Sequence, residues 1–143
     1  MVRALKVVSQ TGPAAPAPRA DAIVRLLDYN FKISSPIRAG NRTIRVVNEA
    51  KQHHEIQLVQ LAPGVSVDDF MKRMDKMEGP PLGKAIGGIA GLAPGMSQSF
   101  SADFTPGNYA LICFLPDATD GKPHFMHGMV QQITVNRGLL YRR

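Results

Sequence analysis

Tryptophan is absent from this chain and other aromatics are sparse, three Tyr and six Phe in 143 residues, so a core must come mainly from Val, Ile, Leu and Met. Cysteine occurs once, which excludes an internal disulfide and leaves redox compartment unreadable from pairing. No run approaches the roughly 18–20 apolar residues that a membrane-spanning helix needs. No apolar stretch with a following cleavage site marks the first residues as a secretion signal. Helix-turn-helix patterning, zinc-finger spacing and RNA-binding aromatic signatures are also missing. The net charge of +6 does not by itself point to nucleic acid. Arg3, Lys6, Arg19, Arg137, Arg142 and Arg143 lie in the two ends, and inside the chain the signs alternate, as across Lys72, Arg73, Asp75, Lys76 and Glu78. No nucleic-acid partner is expected.

What is present describes one ordinary globular domain. Hydrophobic residues make up 44% and charged residues 20%, and the length suffices to bury a core without staples. Three segments are expected: 1–21 as a strand and linker, 22–136 as the domain, and 137–143 as a tail. Proline-rich residues 11–19 read as an extended linker. Residues 1–7 match 129–135 at Met, Val and Val, with Leu against Ile. They read as an extra strand or as the last strand of a preceding repeat. From Ala22 onward, alternating apolar residues predict strands at 22–27, 29–33, 43–47, 54–61, 97–104, 109–114 and 129–135. Ser66 with Asp69 resembles a capping box, and Phe70, Met74 and Met77 share a helical face until Pro80 and Pro81. Residues 83–95 read as a Gly-rich loop. Gly87, Gly88 and Gly91 lack the Lys-Ser/Thr ending of a phosphate loop. About seven or eight strands with one inserted short helix make an all-β sandwich.

The chemistry concentrates in residues 109–129. A strand delivers Cys113, a turn-rich loop follows, then His124, and Met129 opens the final strand. Thiolate and thioether beside imidazole suit copper, and His53 and His54 offer a second imidazole at the start of the third long strand. Other uses of the same residues stand beside this one. Cys113 alone reads as an inert core residue, and His54 as a solvent-facing strand start. His127 is an alternate to His124, and His54, His124, His127 and Cys113 together would suit zinc. Met71, Met74 and Met77 read first as core filler and second as thioether copper(I) ligands. Cys113 with His124, oriented by Asp117 or Asp120, would make a thiolate–imidazole nucleophile.

Val47-Asn48 followed after five residues by His54-Glu55, Ala93-Pro-Gly95, Thr105-Pro-Gly107, Tyr109 and Cys113, and His124 with Gly128-Met129 together resemble the cupredoxin family, which includes plastocyanin- and azurin-type proteins. The resemblance covers roughly residues 22–135. It implies a Greek-key β-sandwich holding one copper ion through His54, Cys113, His124 and Met129, with an exposed imidazole edge as the exit for an electron. It further implies a redox partner protein and a periplasmic or secreted location. Ten residues separate Cys113 from His124, more than in the compact ligand loop of most electron-transfer members. The segment 62–96 is also longer than a minimal cupredoxin needs, and is expected to cover one end of the sandwich.

Overall fold

The computed structural model of the protein describes residues 2–9, 11–76 and 78–137. Strands β1 (Ala22–Leu27), β2 (Asn30–Ile33), β3 (Gly40–Asn48) and β6 (Ser97–Phe104) form one sheet in the order β2-β1-β3-β6. Strands β4 (His54–Leu61), β5 (Gly83–Leu92), β7 (Gly107–Ile112) and β8 (Val130–Val135) form the other, in the order β5-β4-β7-β8. All pairings are antiparallel except β1 with β3. The two-residue period decides what lies between the sheets. Val24 and Leu26 of β1, Ile44 and Val46 of β3, Ile56 and Leu58 of β4, and Tyr109 and Leu111 of β7 are all buried in one core.

The central strands β4 and β7 are buried on both faces. Val59, Leu61, Ala110 and Ile112 point away from the sandwich, and Val67, Phe70 and Met71 of helix α1 (Val67–Lys76) pack over them. The expected capping box is present: Ser66 Oγ accepts the Asp69 amide at 3.1 Å, and the Ser66 amide donates to Asp69 Oδ2 at 3.3 Å. Segment 62–96 therefore covers the outer face of a sheet rather than an end, because β4 and β7 carry apolar residues there that need burial. Met77, expected on the apolar helical face, lies outside the described residues, as do Met1 and the tail 138–143. Residues 2–9 belong to no strand, and Val2, Leu5 and Val7 are exposed.

The predicted Gly-rich loop is mostly strand. Residues Gly83–Leu92 pair with β4 through two register irregularities. Glycine serves close approach here rather than flexibility: a Cβ on Gly88, whose φ is +141°, would sit 1.8 Å from the Ile56 carbonyl oxygen. Only glycine lets these two backbones meet.

Candidate metal centre

Two donors arrive on strands. His54 begins β4 on the same inward face as Ile56 and Leu58, and Cys113 follows β7 on the face of Tyr109 and Leu111. The approach to His54 is anchored by Asn48, wholly buried at the end of β3. Its Nδ2 donates to the carbonyls of Leu92 at 2.7 Å and Gln52 at 2.9 Å, while its Oδ1 accepts the Ala50 amide at 2.9 Å.

The other two donors arrive on the loop, and backbone hydrogen bonds take the slack out of its length. The Asp117 amide donates to the Lys122 carbonyl at 2.8 Å, folding 117–122 into a small hairpin outside the sandwich. Behind it the amides of His124 and Phe125 donate to the carbonyls of Leu115 and Cys113 at 2.8 and 2.9 Å. A single 3-10 turn, His124–His127, ends at Gly128 in the left-handed region. The Met129 amide then donates to the His124 carbonyl at 3.0 Å, and the Cys113 amide to the Met129 carbonyl at 3.1 Å. The long loop thus returns His124 and Met129 beside Cys113.

His54, Cys113, His124 and Met129 are each 0% exposed. The two imidazoles turn the same nitrogen toward the sulfur. His54 Nδ1 and His124 Nδ1 stand 3.0 Å apart, and Cys113 Sγ lies 3.3 Å from His124 Nδ1 and 3.8 Å from His54 Nδ1. An ion bonded to nitrogen at about 2.0–2.1 Å and sulfur at about 2.3 Å, with angles near 100–120°, places its donors about 3.1–3.8 Å apart. The three donors fit one transition-metal ion.

Neighbouring groups prepare the donors. Asp28 Oδ1 lies 3.2 Å from His54 Nε2, which assigns the proton to Nε2 and leaves Nδ1 as a lone pair facing the sulfur. Burial pushes the Cys113 thiol pKa up, while the backbone N–H groups of Glu55, 3.4 Å from Sγ, and Leu115 favour the thiolate. Burial, with His54 as the next cause, lowers the pKa of His124 and keeps it in the neutral form that ligates. Asp117 accepts from Tyr29 Oη at 2.6 Å, Gln52 Nε2 at 2.9 Å and the Thr119 amide at 2.8 Å, which hold its carboxyl far below the usual carboxylate range.

The alternates fall elsewhere. His53 is exposed, one residue before β4. His127 Nε2 pairs with Asp120 Oδ1 at 3.1 Å and groups with Asp117 and Asp120, whereas His54, Cys113 and His124 form their own cluster. The exposed imidazole edge implied by the family resemblance is not present. The ring of Tyr29 packs edge-on against His124 at 5.8 Å between centroids, and Asp28 stands at the far edge of His54. Sequence reasoning missed Asp28 and Tyr29, both in the β1–β2 turn, because nothing local marks a turn residue as lying against a histidine from another sheet. It also missed Gln52, which donates to Asp117.

No protein-family model matches the chain, and no curated protein matches it by sequence. Solved structures match by fold. Na-dithionite-reduced auracyanin from the photosynthetic bacterium Roseiflexus castenholzii superposes with a TM-score of 0.56 at 19% identity, over 80% of this chain and 94% of that one. Auracyanin B superposes with a TM-score of 0.52 at 23% identity, over 85% of this chain and 93% of that one. The chain is a cupredoxin-like β-sandwich in fold.

Proposed function

We propose that this cupredoxin-like chain is a copper-binding electron-transfer protein, with His54, Cys113 and His124 holding one ion and Met129 as the weak fourth donor. The observation that carries the reading is the convergence of two imidazole Nδ1 atoms and one cysteine sulfur, all fully buried, at one end of a rigid sandwich. A mixed imidazole–thiolate set with a thioether nearby suits copper, which when bound supplies one-electron exchange between Cu(II) and Cu(I). Zinc would also accept the first three donors, but thioether is outside its usual ligand set.

The chain's own residues do the rest. Asp28 holds the His54 ring and its tautomer, and the amides of Glu55 and Leu115 stabilise negative charge on sulfur. The flanking sheets exclude water and hold the donors still, so little rearrangement accompanies a change of charge. With both imidazoles covered, a redox partner protein meets the half-buried ring of Tyr29 in front of His124. A periplasmic or secreted location belongs to the same reading. The alternative of Cys113 as a nucleophile is disfavoured, since the sulfur is fully buried and burial raises its pKa.

The test is one equivalent of Cu(II) added to the purified protein, read by visible absorption, with Cys113→Ala beside it. An intense thiolate-to-copper band in the wild type and none in the variant is the expected result. A colourless wild type without Cys113-dependent binding overturns the reading and leaves a metal-free binding or structural module of a larger secreted protein.

A further inference from the structure

We infer that the β1–β2 turn, Asp28 and Tyr29, is a lid over the metal centre, latched by the hydrogen bond from Tyr29 Oη to Asp117, and that an ion reaches the donors when this turn lifts. The inference rests on the copper reading for its ion and on the covering groups for its geometry. His54, Cys113, His124 and Met129 are each 0% exposed, so no donor meets an arriving ion until a covering group moves.

One turn covers both imidazoles. Asp28 Oδ1 stands 3.2 Å from His54 Nε2, and the ring of Tyr29 lies edge-on to His124 at 5.8 Å and tilted on His127 at 5.0 Å between centroids. The elements that carry the donors are poorly placed to move. Strands β4 and β7 are central in their sheet and pair on both sides, and main-chain hydrogen bonds hold the turn of His124. Strand β2, by contrast, has four residues, lies at a sheet edge and pairs with β1 alone. The turn between β1 and β2 is therefore the cover with the least behind it.

This turn is also held against its own preference. Tyr29 has φ +65° and is the one non-glycine residue with positive φ among the described residues. That left-handed conformation is unfavourable for a bulky L side chain. Contacts from across the fold hold it there. Tyr29 Oη donates to Asp117 Oδ2 at 2.6 Å, a short bond to an ionised acceptor. Gln52 braces the pair, donating to the same oxygen at 2.9 Å and accepting the Ala118 amide at 2.9 Å. Asp117 and Ala118 belong to the loop that delivers His124, so the latch ties the lid to the ligand loop. Without the latch, the strain at Tyr29 favours opening.

Cys113 is the chain's one cysteine and lies beneath the lid, so its thiol reports opening without any metal. Metal-free wild type, Tyr29→Phe and Ser66→Ala are each mixed with excess dithiobis(nitrobenzoate), and release of the coloured thiolate is timed. Tyr29→Phe keeps the ring and loses the hydroxyl. Labelling should quicken about tenfold or more, the effect of losing a hydrogen bond to a charged group. Ser66→Ala weakens the fold at helix α1 and should leave the rate unchanged, because the opening is local. The inference is overturned if Tyr29→Phe reacts at the wild-type rate. It is equally overturned if Ser66→Ala speeds labelling as much as Tyr29→Phe does, which would mean that Cys113 is reached by global unfolding. With Cu(II), the visible band should form faster in Tyr29→Phe by a similar factor, and formation at the wild-type rate overturns entry of the ion beneath the lid. The thiol rate needs no metal, so a colourless protein whose Tyr29→Phe variant labels fast fails the copper reading and leaves the lid in place.

Discussion

His54 and His124 are equally buried and present the same ring nitrogen to Cys113, yet they are held in different ways. His54 is built into a strand. Its neighbours Ile56 and Leu58 fix the direction of its side chain, Asn48 ties down the residues that lead to it, and Asp28 reaches from the opposite sheet to its outer nitrogen. His124 is carried by a loop. Main-chain hydrogen bonds to Leu115, Cys113 and Met129 hold its turn in place, and its outer nitrogen has no hydrogen-bond partner among the described residues. A strand-borne ligand gains its position from side-chain alternation and long-range contacts. A loop-borne ligand must obtain it from local backbone bonding.

That contrast can be broken first at Asn48. Asn48→Ala leaves the Leu92 and Gln52 carbonyls and the Ala50 amide without their partner, and should cost about 3 kcal/mol in urea-denaturation stability, the upper end for buried groups left unpaired. A loss indistinguishable from zero would mean that the approach to His54 is held by something else. Asp28→Asn spares the fold but weakens the orientation of His54. Copper affinity should fall roughly tenfold to a hundredfold in a competition assay with a chelator, and an unchanged affinity would remove Asp28 from the site's support.

On the His124 side the expected change is confined to acid. The pKa of Asp117 is depressed by Tyr29, Gln52 and Thr119, so its contribution to stability is complete above the ordinary carboxylate pKa of about 3.9. It is lost as pH falls below that value toward the depressed folded pKa, because the unfolded state then binds the proton first. Asp117→Asn should flatten this part of the profile of denaturation midpoint against pH. Identical acid slopes for wild type and variant would show that the tyrosine–carboxylate contact does not shift the carboxyl. Far from both histidines, Ser66→Ala removes the cap of α1 and should cost about 1 kcal/mol with no change in the copper band. A changed band would connect the helix to the metal centre.

The sandwich was legible because alternation records itself locally. Val24 and Leu26, Ile44 and Val46, and Tyr109 and Leu111 each announce an inward face by spacing alone. The capping box at Ser66 and Asp69 was legible for the same reason. The stretch 83–95 was misread because the need for glycine at Gly88 comes from the Ile56 carbonyl, a strand away. The cover over the histidines was illegible on the same ground: Asp28 and Tyr29 look like any hairpin turn, and their role depends on a register between sheets that no local pattern encodes.

By itself the sequence determined the class of fold, the strands other than β5 and the identity of the four candidate donors, since periodicity and residue chemistry are properties of neighbours. Only the tertiary structure decided that His54, His124 and Cys113 meet through Nδ1 and sulfur, that both imidazoles are closed to solvent, and that Asp117, Asp120 and His127 gather outside His124. Those facts depend on atoms 11 to 88 residues apart in the chain, and distance in space is what folding, rather than spacing, sets.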